Sequence, residues 1–113
     1  MEKDPYIFIE HILDSIEKVE IFVKGVTKEE FEKDIKLQDA VVRRIEIIGE
    51  AVKNLPSDFR EKHKEIPWIK IAGMRDKLMH HYFGVDLINV WKVVNENFPE
   101  LKKQIKKVLR EKK

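Results

Sequence analysis

Apolar residues in this chain recur at spacings of three and four, and no stretch alternates apolar with polar residues for more than a few positions. The first period is that of an α-helix and the second that of a half-buried strand. A chain with only the first signal must hide striped helix faces against one another. The expected fold is therefore all-α, an antiparallel helical bundle of four to five main helices with short connections.

Proline, glycine and capping residues divide the stripes. Asp4 stands before Pro5, a cap followed by proline at the first helical position. Tyr6, Ile9, Ile12, Leu13, Ile16, Val19 and Val23 stripe that helix, and Gly25 suits its end. Thr27-Lys28-Glu29-Glu30 is a capping box that opens a short helix. A long helix is expected over 36–54, with Leu37, Val41, Ile45, Ile48 and Val52 on one side, stopped by Pro56. Ser57 is read as the cap of a short turn through Phe59. Pro67 opens a helix expected over 67–82, which Gly84 breaks. Asp86 caps the next, carrying Leu87, Val90, Trp91 and Val94, and Phe98-Pro99 is read as separating it from a final basic helix with Leu101, Ile105, Val108 and Leu109. Gly49 falls inside the long helix, where glycine costs about 1 kcal/mol against alanine. It is read as a point of close helix–helix approach.

At 113 residues the chain is expected to form one domain over its whole length. Apolar content of 42% beside 39% charged residues excludes disordered and membrane classes. No apolar run approaches the roughly 18 residues of a membrane span. The start Met1-Glu2-Lys3-Asp4-Pro5 lacks a signal-peptide core, so a cytoplasmic location is expected. The absence of cysteine excludes disulfides and thiolate metal sites. The net charge of +2 conceals an asymmetry, because the segment from Lys102 to Lys113 carries seven basic residues and one acid. Such a tail can track phosphates. The plainer reading is a solvated helix end whose cations complement the helix dipole.

The chemistry concentrates in Arg75-Asp76-Lys77-Leu78-Met79-His80-His81-Tyr82. Arg75 supplies a permanent cation with a planar fork that matches phosphate, and His80 a group that moves a proton near neutrality. Together they suit a phosphodiester, where charge develops on phosphoryl oxygens and a hydroxyl must lose its proton. Asp76 and His80 are four apart, so the carboxylate can orient the imidazole. Arg75 and Tyr82, seven apart, share a face. His80 lies about 140° around an ideal helix from Arg75. The two do not converge readily on one phosphate, so either the helix ends or distorts near His80, or two copies complete the site.

The spacing R-x-x-x-x-H-x-Y from Arg75 to Tyr82 resembles the signature of HEPN-superfamily ribonucleases, specifically HepT-like toxins. Two flanking blocks, Arg44-Ile45-Glu46-Ile47-Ile48-Gly49-Glu50-Ala51 and Ile66-Pro67-Trp68-Ile69-Lys70-Ile71-Ala72-Gly73-Met74, are similar to that family's. The resemblance implies a HEPN-like bundle and a homodimer whose two motif helices share a cleft. It implies metal-independent cleavage of RNA to a cyclic phosphate, with no cofactor. Arg75 would bind the scissile phosphate, His80 would transfer a proton and Asp76 would orient them. It also implies a partner, an MntA-like minimal nucleotidyltransferase antitoxin that adenylylates Tyr82.

Each residue also has a plainer reading. An arginine on a charged helix is ordinarily a surface residue, a lone histidine beside Met and Leu a structural one, and a tyrosine near a helix end a core aromatic with a wet hydroxyl. His81 is assigned to the cleft edge or surface. His11 and His63 are isolated, and the four histidines have no metal-ligand spacing. Glu46 and Glu50 either approach a partner's arginine or form an ordinary solvated pair. Trp68 and Trp91 are read as core or interface anchors rather than base-stacking platforms. The competing function is a non-catalytic helical module that binds a nucleotidyltransferase and presents substrate to it.

Overall fold

A computed structural model describes residues 4–78 and 86–112, and among these the backbone is helical with no strand. The first helix, α1, runs Pro5–Val23, with an Asp4 side-chain oxygen accepting from the Tyr6 amide at 3.0 Å. Gly25 follows at φ 73°, the left-handed conformation that ends a helix at little cost only for glycine. α2 is Lys28–Lys33, and its capping box is complete. The Glu30 amide donates to Thr27 Oγ1 at 3.1 Å, and the Thr27 amide to Glu30 Oε1 at 2.9 Å.

α3 is Ile35–Lys53, capped by Asp34, whose side chain accepts from the Leu37 amide at 3.0 Å. α4 is Ser57–Lys62. Here the sequence reading is corrected. Ser57 is the first helical residue, not the cap; Pro56 stands in the cap position with no side-chain bond, and the element runs past Phe59 to Lys62. α5, Trp68–Leu78, is the motif helix as far as it is described. The rest of the expected span, Gly84 included, lies outside the described residues.

α6, Leu87–Lys92, is capped by Asp86, which accepts from the Asn89 amide at 3.2 Å. It does not stop before Phe98-Pro99 as the sequence suggested. It passes through a π-helical turn, Val93–Asn97, directly into α7, Phe98–Arg110. In a continuous α-helix the Pro99 ring would crowd the Asn95 carbonyl and leave it without a donor. The wider turn, in which the Phe98 amide reaches back to the Val93 carbonyl, absorbs the proline instead of breaking the rod.

The stripes meet in one core. Ile9, Ile12, Ile16 and Val19 of α1, Val41, Ile45, Ile48 and Val52 of α3, and Ile105 of α7 are fully buried, with Leu101 and Val108 nearly so. Each such side chain contributes about 1.5–3 kcal/mol of transfer free energy. α1 packs against α3 and α7, and α3 packs against α5. Lys102 pairs with Glu20 at 2.8 Å and Lys112 with Asp4 at 3.6 Å, so α7 runs antiparallel to α1. No helix among the described residues is long and apolar enough to cross a membrane.

Candidate active site

α5 is anchored at its start and held tightly at its middle. The Trp68 indole, 5% exposed, donates to the carbonyls of Arg60 and His63, both at 3.1 Å. Trp68 is thus a core anchor, and His63 lies buried with its ring against Phe59. At the middle, Gly49 of α3 faces the backbone of α5. A Cβ there would stand 3.4 Å from the Ala72 carbonyl oxygen and 3.8 Å from that of Ile71. The close approach expected from a mid-helix glycine is present.

That crossing sets the register of the charged residues. The two helices are antiparallel, so one turn before Gly49 on α3 meets one turn beyond Ala72 on α5. Those positions are Glu46 and Arg75. Arg75 Nε donates to Glu46 Oε2 at 3.0 Å, and Arg75 Nη1 to Asp76 Oδ1 at 3.3 Å. The other Glu46 oxygen lies 3.8 Å from Arg43 Nη1. Hydrogen bonding to Glu46 foremost, and then to Asp76, raises the Arg75 pKa above its ordinary value. The guanidinium is therefore a fixed cation. Its side chain is 51% exposed, at the edge of an open groove of about 510 Å³. Phe8 and His11 of α1 form one wall of that groove, α3 from Arg43 to Asn54 another, and Ala72, Arg75 and Asp76 of α5 the third.

Arg75 and Asp76 stand together at this groove. His80, His81 and Tyr82 lie outside the described residues. The chain re-enters the described structure beside the end of α5, where the Asp86 amide donates to the Leu78 carbonyl at 2.9 Å. Within the chain, Glu46 finds Arg75 of its own chain, and Glu50 lines the same groove. Among the groove residues that the sequence did not single out are His11 and Arg43. His11 looked isolated, and Arg43 carried no motif. Their only sequence signal is a position beside the apolar stripes, which any surface residue shares. Among the described residues no group of three or more His, Cys, Asp or Glu could hold a metal ion.

On α7 the basic residues divide into two sets. Lys102 is engaged by Glu20 of α1, while Lys103, Lys106, Lys107 and Arg110 are exposed; beyond the helix end, Lys112 pairs with Asp4.

The family model described as "Ribonuclease HepT-like" matches residues 12–108, which include every groove residue of α3 and α5. The chain belongs to the HepT-like ribonuclease family. Among its relatives is a protein of Caldanaerobacter subterraneus subsp. tengcongensis named "Putative RNase", 52% identical over 98% of this chain and 99% of that protein. Another, of Thermococcus cleftensis, is named "Probable ribonuclease HepT" and is 50% identical over 89% of this chain and 92% of its own length. A third, of Methanocaldococcus jannaschii, named "Gamma-glutamylcyclotransferase and putative RNase", is 53% identical over 98% of this chain, which spans only 50% of that protein. No solved structure matches the chain significantly.

Proposed function

We propose that this chain is a metal-independent endoribonuclease that acts as a toxin. The 2′-hydroxyl of RNA attacks the adjacent phosphorus, the bond to the 5′-oxygen breaks, and a 2′,3′-cyclic phosphate and a free 5′-hydroxyl result. Arg75 binds the scissile phosphate and stabilises its developing charge. His80 exchanges a proton with the 2′-hydroxyl or the leaving oxygen, and Asp76 orients the pair. The observation that carries the proposal is the half-exposed guanidinium of Arg75 at the edge of the groove, held by Glu46 and Asp76 with donors to spare. The exposed cations of α7 supply non-specific attraction for an RNA backbone.

The working form in this proposal is a two-fold homodimer with both copies of Arg75 and His80 at one cleft. Besides the 140° offset within one helix, an 84% exposed Ile69 supports it. Ile69 lies seven residues before Asp76, on the same face of α5, where a second copy would cover it. The partner in this proposal is a minimal nucleotidyltransferase antitoxin. It transfers AMP from ATP to the Tyr82 hydroxyl, which loses its proton as pyrophosphate leaves, and the added anionic bulk blocks the cleft and repels RNA.

Purified wild type, Arg75→Ala and His80→Ala proteins incubated with total RNA in EDTA provide the test. Cleavage to cyclic-phosphate ends by wild type, lost in both variants, is expected. Wild-type rates in both variants would remove the nuclease reading and leave the binding module. For Tyr82, peptide mass spectrometry after coexpression with the nucleotidyltransferase and ATP should find AMP on the Tyr82 peptide. An unmodified Tyr82 in an inhibited protein would replace covalent control with occlusion.

A further inference from the structure

Glu46 is not one of the motif residues, yet it makes the shortest contact to Arg75 in the described structure, across 29 residues of chain. As a contribution to stability, a surface ion pair of this kind amounts to only about 0–1 kcal/mol. Its geometric consequence is larger. Arginine has five N–H donors in a rigid plane. Glu46 takes the one on Nε and Asp76 takes one on Nη1, which leaves three, including both on Nη2. Two carboxylates therefore hold the plane of the guanidinium from its flanks, while donors remain for an incoming phosphate oxygen.

Glu46 is itself fixed. Its side chain is 31% exposed against 51% for Arg75, so the anion is the more sheltered partner. Its second oxygen faces Arg43. Its place opposite Arg75 is set by the Gly49–Ala72 approach one turn away, which lets α3 and α5 lie close enough for the two side chains to meet.

We infer that Glu46 is the positioning residue for Arg75, orienting the guanidinium through its Nε–H so that the free donors face the groove. This rests on the reading of Arg75 as the phosphate-binding group. Glu46 acts by accepting a hydrogen bond, and its negative charge is secondary. A neutral acceptor of the same shape therefore serves in its place.

The experiment compares Glu46→Ala and Glu46→Gln with wild type and Arg75→Ala, using an RNA cleavage assay and the ¹⁵N resonance of the Arg75 Nε–H in the full chain. The alanine variant should lose about 10–100-fold in kcat with little change in KM, since misplacement of a transition-state contact falls on kcat. The glutamine variant should recover most of that rate. The Nε–H should be protected from exchange in wild type and Glu46→Gln, and exchange rapidly in Glu46→Ala. Faster cleavage or a lower KM in both variants would mean that Glu46 competes with the substrate phosphate, and would overturn the inference. So would equal losses in both variants, or unchanged rates and Nε–H protection in Glu46→Ala. Wild-type activity in Arg75→Ala would instead sink the nuclease reading, a result separate from any of these.

Discussion

Two interhelical ion pairs of nearly equal length stand on opposite sides of this bundle. On the α7 side, Lys102 reaches Glu20 of α1 at 2.8 Å, and on the α5 side, Arg75 reaches Glu46 of α3 at 3.0 Å. Distance does not tell them apart, but exposure does. The Lys102 side chain is 25% exposed and Glu20 46%, so the cation is the more sheltered partner. In the other pair the order is reversed, with Glu46 at 31% and Arg75 at 51%. A sheltered cation is a strut. An exposed cation held by a sheltered anion is presented to something else, and here a groove lies in front of it.

The sharpest way to break this contrast is to remove each cation in turn. Arg75→Ala should lower the rate of RNA cleavage by about 10²–10³-fold, the usual loss for one stabiliser of developing charge. Lys102→Ala should leave that rate within the scatter of wild type. Circular dichroism should show the same helix content in both. Equal losses from both substitutions would mean that the two pairs do not differ in kind.

A smaller effect comes from the crossing that sets the Arg75–Glu46 register. Gly49→Val puts branched methyls where the Ala72 carbonyl already stands 3.4 Å from a Cβ. The variant should be destabilised by about 1–3 kcal/mol in urea unfolding, as overpacked sites are. It should also lose cleavage beyond what its unfolded fraction explains. Gly49→Ala places its Cβ in van der Waals contact and regains helix propensity, so it should be neutral to more stable by up to about 1 kcal/mol. A fully active and stable valine variant would mean that the close approach does not set the site.

The smallest effect separates the two pairs by pH. The hydrogen bond to Glu20 foremost raises the Lys102 pKa above its ordinary 10.5. A group whose folded pKa is raised contributes stability that is fully present below its unfolded value and is lost as pH rises through the folded one. Thermal melts should therefore show wild type losing more stability than Lys102→Met above about pH 10.5, and behaving in parallel below it. Arg75, also raised by its acids, stays charged throughout that range and should give no such break. Parallel curves for wild type and Lys102→Met at every pH would remove the strut interpretation of α7.

The helix caps at Asp4, Thr27 and Asp86 were legible because each depends on side chains and amides only two or three residues apart. The buried stripes of α1, α3 and α7 were legible for a related reason, since periodicity alone says which face must leave water. Pro99 misled because its local rule, that proline ends a helix, holds only if the helix cannot widen, and here a π-helical turn precedes it. Ser57 misled because a proline already occupied the cap position.

The candidate site divides in the same way. Sequence alone named the candidates for the chemistry, because Arg75, His80 and Tyr82 stand at a spacing that resembles a family signature. Asp76 beside Arg75 was fixed by adjacency. Glu46 and His11 were decided only by the tertiary structure. Glu46 meets Arg75 because a glycine lets two antiparallel helices approach in one register, and His11 joins the groove because α1 packs along α3. A helix's own sequence specifies the face that it buries, whereas the residue that it meets there depends on a partner many positions away and on how closely the two backbones can come.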